Sequence, residues 1–405
     1  MATSALTATR PEPRARSHGQ LASPSAIGAT KRLGIPISPC ASVAPHGTSD
    51  LPMRLPGCSV RAAIYRQTGG PEVLHLVDRP APIPRPGEVL VRIAFSGVNP
   101  TDWKSRQGSG PAQPLAFPEQ VPNQDGSGTI VGVGQGVDTA RVGQGVWIWE
   151  AAWERSEGTA QEFVTLPEEH AVPLPDSASF SLGASIGIPA LTAHRCLTVG
   201  EGGPDRLGPG ALTGRNVLVA GGAGAVGHAA IELAVWSGAT VVATVSSPEK
   251  AGLARATGAH HVVNYLAEDA AETIRRLLPE GAHVIVEVAP AANSRLDQSV
   301  LAAGGVVAAY ANDADTSSIQ VRPAMVANAR FQFVLVYTEP AVAKRRALED
   351  VQAALAAPAL RVGAEFGLPL HHFPLERIAE AHAAVENRAV GKVLVDVARD
   401  PERSE

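Results

Sequence analysis

Cysteine is scarce in this chain: Cys40, Cys58 and Cys196 are the only three among 405 residues. They form no C-x-x-C pair, so neither a disulfide framework nor a cysteine-rich zinc site is expected. Basic residues are also in deficit, with 34 Lys and Arg against 39 Asp and Glu, for a net charge of −5. That balance, with no basic, aromatic-rich stretch, argues against a general grip on nucleic acid or on an anionic membrane. No apolar run approaches the roughly 18 residues a membrane-spanning helix needs. The paired histidines His260–His261 and His371–His372 lack partners at metal-ligand spacing and read as surface or strand-end residues. Glycine and proline are abundant instead, at 40 and 33, which fits many turns.

Residues 1–59 hold no aromatic side chain and only two acids, Glu12 and Asp50. Such a stretch cannot bury a core and is expected to be disordered. Its Arg- and Ser-rich composition also fits a transit peptide, although no amphipathic helix is evident. It has no long apolar segment for secretion, so a cytoplasmic location is expected. A mistaken translation start is a further reading, because the folded pattern begins at VRAAIY, residues 60–65.

The remaining chain is long enough for two domains and a sizeable core. Over residues 60–185 the pattern is short strands and turns: VRAAIY, EVLVRIAF, GTIVGVG and GVWIW between Gly and Pro clusters. Over 186–335 it is apolar strands alternating with helices, as in a doubly wound parallel sheet. Strands are expected at 217–220, 240–245, 261–264, 283–288, 306–310 and 331–336. A helix is expected at 187–197 and another at 341–355. Residues 336–405 are expected to return to the first domain. The fold class is therefore α/β, a β domain plus a doubly wound parallel-sheet domain.

The motif with most chemical content is NVLVAGGAGAVG, residues 216–227. An apolar strand runs into Gly222, Gly224 and Gly227, a G-x-G-x-x-G, and a helix follows from about Ala225 to Ser237. Strand, glycine turn, helix and strand within about 30 residues make a dinucleotide-binding unit. Gly222 permits the tight turn, Gly224 the approach of a pyrophosphate, and Gly227 close helix packing. Ala223, Ala225 and Val226 complete the loop around the phosphates, at a helix N-terminus.

NAD sites place an acid at the end of the second strand. Here that strand ends in Ser246 and Ser247, with Lys250 three residues on. Hydroxyls and an ammonium suit a 2′-phosphate, so NADPH is expected over NADH. Glu249 is the opposing charge and is expected to point to solvent.

In order along the chain stand VRAAIY, SGVNPTDWKSRQG (96–108), PNQDGSGTIVGVGQGV (122–137), PALTAH (189–194), GGAGAVG (221–227), TVSSPEK (244–250) and VGKVLVDV (390–397). Together they resemble the zinc-independent quinone oxidoreductases, the ζ-crystallin-like group of the medium-chain dehydrogenase/reductase superfamily. The resemblance spans about residues 60–397. It implies a GroES-like β domain with a Rossmann domain inserted before the last stretch. It also implies a homodimer joined through the Rossmann sheets. RFQFVLVY, residues 330–337, reads either as an edge for that pairing or as an inner strand. Zinc-dependent relatives place a cysteine near Asn99 and a Gly-His-Glu triplet near 123–125, where this chain has SGVNPTD and PNQD. Alcohol dehydrogenase activity is therefore disfavoured.

The resemblance further implies that Asn99 sits where nicotinamide and substrate meet, and that Thr192 contacts the carboxamide. Lys250 and Tyr265 would flank the 2′-phosphate, Lys392 would approach the cofactor cleft, and Phe333 would be a further cofactor contact. Asn99 and Trp103 are the expected catalytic pair, the first hydrogen-bonding the acceptor and the second forming a flat wall. Each has a purely structural alternative: an Asx-turn for Asn99, core packing for Trp103, a back-bonded helix hydroxyl for Thr192. Asp102 reads as a helix cap. Relatives carry a tyrosine in the helix after the Asn-Pro turn, which TDWKSRQG lacks. The segment EGGPDRLGPGALTG, residues 201–214, reads as a loop. The expected activity is NADPH-dependent reduction of a quinone, without metal. Reduction of an enone or enoyl double bond uses the same fold and cofactor. A non-catalytic NADPH sensor or an RNA-binding crystallin-like protein is the alternative of another class.

Overall fold

The computed structural model describes residues 59–108 and 114–397. The disorder expected of the N-terminal stretch lies outside the described residues, except that Ser59 already opens a strand, Ser59–Ile64. Cys40 and Cys58 lie outside them as well. Among the described residues no helix is long and apolar enough to cross a membrane.

The Rossmann lobe is a six-stranded, all-parallel sheet. Its order is His261–Asn264, Thr240–Val245, Asn216–Ala220, Ala282–Glu287, Leu301–Ala309, Arg330–Phe333. This is the doubly wound order that reverses direction beside the first strand, where such folds bind nucleotides. The strands are runs of β-branched and small apolar residues because both faces are covered. Val217 and Val219 belong to the core under one face, while Leu218 belongs to the core under the other. This is the period-2 alternation of a strand.

The last strand differs from the expected 331–336. It ends at Phe333, and Val336–Thr338 forms a turn of 3-10 helix. It is the edge strand of the parallel sheet, not an inner one.

The GroES-like lobe carries a seven-stranded mixed sheet. Leu370–Pro374, Lys392–Asp396, Glu88–Val98, Asp125–Val133, Gly145–Ile148 and Ala171–Pro173 are neighbours in that order, and Phe163–Pro167 also pairs with Glu88–Val98. Residues from both ends of the chain thus meet in one sheet, with Val393 opposite Val98.

Helix Phe180–Thr198, longer than the expected 187–197, joins the lobes. Ser179 caps its start by accepting from Leu182 N–H. Its apolar side chains share one core with Trp147 of the mixed sheet, with Trp149 just beyond that strand, and with Val217 and Val219 of the parallel sheet. Residues 201–214 form turns, but not a free loop. Leu207 and Leu212 are buried, and Asp350 accepts hydrogen bonds from Arg206 Nε at 2.8 Å and Leu207 N–H at 2.7 Å. The same carboxylate pairs with His194 at 2.8 Å on the connecting helix.

Candidate active site

A cavity of about 610 Å³ lies between the glycine turn and the mixed sheet. On the Rossmann side its wall includes Ala223, Gly224, Ala225 and Val226, then Ser246, Lys250 and Tyr265. The helix Ala225–Trp236 starts at Gly224, with no side chain capping its first turn. A helix N-terminus without its own cap is left to bind an anion. Gly222 and Gly227 do not line the cavity; they make the turn possible. A Cβ on Gly222 would lie 2.8 Å from Ala243 Cβ, and one on Gly227 would lie 2.4 Å from the Gly221 carbonyl oxygen.

At the end of the second strand, Lys250 Nζ donates to Ser246 Oγ at 3.0 Å. Glu249 is exposed. Ser247 is employed differently from the expected phosphate contact. Its hydroxyl accepts from Lys250 N–H at 3.2 Å and caps the helix Pro248–Ala256, which keeps it off the cavity wall. Tyr265 stands half exposed at the mouth.

The opposite wall is a network of buried polar side chains. Asn99 donates from Nδ2 to Asp125 Oδ2 at 2.7 Å and accepts at Oδ1 from Lys392 Nζ at 2.7 Å. Both ends of its amide are engaged, and the same residue is the N-cap of helix Pro100–Gln107. Asp125 also accepts from Ile188 N–H at 2.8 Å, next to Pro189, and lies 3.5 Å from Lys392 Nζ. Pro189 lacks an N–H and breaks the helix ladder here. Gly187 makes room for the carboxylate: a Cβ there would lie 2.3 Å from Asp125 Oδ1. Asp125 therefore ties together Asn99, Lys392 and the helix that carries Thr192. Thr192 faces the cavity, and its hydroxyl has no hydrogen-bond partner among the described residues.

Asp102 is the cap the sequence suggests, accepting from Asn99 N–H at 2.6 Å and Gln124 N–H at 3.1 Å. Burial pushes its carboxyl up to about 7, against the pull of those two N–H donors. Burial likewise raises Asp125 and lowers the Lys392 ammonium, and each one's charge opposes the shift of the other. A buried pair of this kind is costly to break, because the survivor is left as an uncompensated charge.

Two expected site residues are elsewhere. Trp103 is half buried and off the cavity wall, with Lys104 Nζ 5.9 Å above its ring. Helix Pro100–Gln107 turns Thr101 and Lys104 to the cavity, an i, i+3 pair, and so rotates Trp103 away. Phe333 is 70% exposed at the sheet edge, and the residues after it, Val334 and Leu335, reach the cavity instead. Asn99, Thr192, Ala223, Gly224, Ala225, Val226, Ser246, Lys250, Tyr265 and Lys392 all line it. Sequence reasoning missed Thr101, Arg388, Tyr310 and Tyr337, which line it too. Arg388 sits in ENRAVGK, near the quoted VGK motif, at φ 62°. Gly391 forms a parallel bridge with Gly224, so this segment crosses the glycine turn.

Comparisons with known proteins agree with this architecture. Residues 85–176 match the alcohol dehydrogenase GroES-like domain, and residues 225–353 the family described as zinc-binding dehydrogenase. The chain is 30% identical over 344 residues to a quinone oxidoreductase of Pongo abelii, covering 83% of this chain and 97% of that one. A Pseudomonas syringae quinone oxidoreductase structure superposes with a TM-score of 0.69 at 26% identity, over 83% of this chain and 99% of that one. A mycobacterial structure solved with NADPH superposes with a TM-score of 0.68 at 28% identity, over the same shares.

The residues present fit a nicotinamide dinucleotide, for which the cradle at Gly222 and Gly227 leaves the backbone bare. They do not fit zinc at Asn99. The neighbours there are an amide, a carboxylate and an ammonium with no lone pair to give, 2.7 Å from the amide oxygen.

Proposed function

We propose, for a chain that belongs to the quinone oxidoreductases of the medium-chain dehydrogenase/reductase superfamily, that it reduces a quinone with NADPH and without zinc. The observation that carries the cofactor choice is Lys250, bonded to Ser246 and to no acid among the described residues, where NAD sites hold a carboxylate. A 2′-phosphate placed there gains a charge-assisted hydrogen bond. When bound, the reduced nicotinamide supplies the hydride.

The chain's own part is to hold, orient and shield. The glycine turn and helix N-terminus take the pyrophosphate. Thr192, with its uncommitted hydroxyl, orients the carboxamide. Asn99, clamped between Asp125 and Lys392, keeps one amide hydrogen for a ligand. A quinone is electrophilic enough to accept hydride without a metal, so positioning and fixed dipoles do the remaining work. The same reading takes the protein as a cytoplasmic homodimer joined along the exposed edge Arg330–Phe333.

Oxidation of NADPH and NADH, followed by nicotinamide absorbance with a small para-quinone and an enone in parallel, tests this. The expected result is turnover of the quinone with NADPH preferred. Turnover of the enone alone would make the protein a double-bond reductase. Preference for NADH would overturn the role of Lys250. Tight NADPH binding with no turnover of either acceptor would point to a sensor.

A further inference from the structure

The cavity wall holds a pair of hydroxyls that the nucleotide does not explain. Thr101, in helix Pro100–Gln107, and Tyr337, in the turn after the edge strand, come from different lobes and are 236 positions apart. Their oxygens are 2.9 Å apart. Both line the cavity beside Asn99. The tyrosine is 5% exposed and firmly held. Its ring stacks on Trp153 at 4.6 Å and 21°, and its carbonyl accepts from Lys344 Nζ at 2.7 Å.

Hydrogen counting gives this pair a function. Two hydroxyls carry two hydrogens, and their mutual bond consumes one. Whichever oxygen donates to the other, one O–H is left over, and neither hydroxyl has another hydrogen-bond partner among the described residues. A buried O–H without an acceptor is unfavourable, and a ligand oxygen in the cavity would satisfy it. The pair stays protonated: burial, and then the nearby charge of Asp102, hold the Tyr337 phenol well above its usual range. It therefore offers a hydrogen bond and does not act as a base.

We propose that the Thr101–Tyr337 hydroxyl pair is the docking point for the carbonyl oxygen of the acceptor, and that it selects acceptors carrying one. This rests on the reductase reading above and deepens it. Because the two hydroxyls belong to different lobes, the acceptor oxygen binds where the lobes touch. Hydride transfer oxidises the nicotinamide and leaves the acceptor as an anion whose oxygen keeps this hydrogen bond. A proton from water then completes the reduced product.

The test compares wild type with Tyr337→Phe, Thr101→Val and Thr101→Ser. Each is titrated with NADPH by nicotinamide fluorescence and assayed with a para-quinone. The carbonyl stretch of the same quinone, isotope-labelled, is also read by infrared difference spectroscopy in the NADP⁺ complex. Expected are an unchanged NADPH affinity, a rise in KM of about tenfold for Tyr337→Phe, and a smaller rise for Thr101→Val. The carbonyl stretch, lowered by hydrogen bonding in wild type, moves back up in both variants, while Thr101→Ser matches wild type. An unchanged stretch in Tyr337→Phe, even with a lower melting temperature, would make the pair a lobe contact only and overturn the proposal. Failure of wild type to bind NADPH would instead overturn the reductase reading beneath it.

Discussion

The two walls of the cavity are built on different principles. The nucleotide wall is made by residues 221–265, close together in sequence, and largely by backbone: a turn, a helix start and glycines that keep Cβ atoms away. The acceptor wall is made by side chains gathered from across the chain. Lys392 reaches Asn99 over 293 positions, and Tyr337 reaches Thr101 over 236. A backbone cradle fails when atoms are added. A side-chain network fails when a charge is left without its partner. The comparison therefore predicts opposite sensitivities on the two sides.

The largest effect is expected from Gly227→Val. The new Cβ would meet backbone atoms of Gly221, which cannot swing aside. NADPH binding, followed by fluorescence, is expected to vanish. Retention of near wild-type affinity would show slack in the turn and break the contrast. On the other wall, Lys392→Met strips the buried Asp125 of its ammonium. Urea unfolding is expected to show a loss of about 3–5 kcal/mol, with most of it recovered in Lys392→Met/Asp125→Asn. A double variant no better than the single one would mean that packing, not charge, holds this wall.

A smaller effect concerns pH. Asp102 titrates at about 7 in the folded protein, above the roughly 3.9 of an unfolded chain. The folded state therefore holds its proton more tightly. Its contribution to stability is fully present below about pH 4 and is lost as pH rises through about 7. Between those two values the loss runs at about 1.4 kcal/mol per pH unit, and Asp102→Asn should flatten that slope whatever its fixed cost. A slope identical to wild type would assign the fall to other buried acids, such as Glu150, which burial also pushes up to about 7. The smallest expected effect is Lys250→Ala, which should weaken NADPH about tenfold and leave NADH unchanged. Equal loss for both nucleotides would remove the lysine from the 2′-phosphate.

The same contrast explains what the sequence made legible. The strands at 240–245 and 261–264 and the helix after the glycine turn could be read closely, because apolar runs and glycines act locally. The motif residues Asn99 and Lys392 could be named, but not their contact. No spacing shows that an ammonium from one end of the lobe will clamp an amide from the other. Trp103 and Phe333 were misplaced for a simpler reason. Helix phase and strand end decide which neighbour faces inward, and two residues' rotation, about 200°, sends Trp103 away while Thr101 faces the cavity. Tyr337 left no trace at all, because its segment reads as strand until the chain turns at Phe333.

Strand Lys392–Asp396 lies between Leu370–Pro374 and Glu88–Val98, in the interior of the mixed sheet. During synthesis, every strand of the parallel sheet emerges before it does. The lobe that is started first is thus completed last. Until those residues leave the ribosome, the Phe95–Val98 end of strand Glu88–Val98 presents an unpaired edge, and Asp125 waits without its cation. Long-range pairing of this kind is slow and exposes sticky edges. Nascent chains stalled before residue 392 would therefore carry a finished nucleotide fold beside an open sheet, a natural target for chaperones.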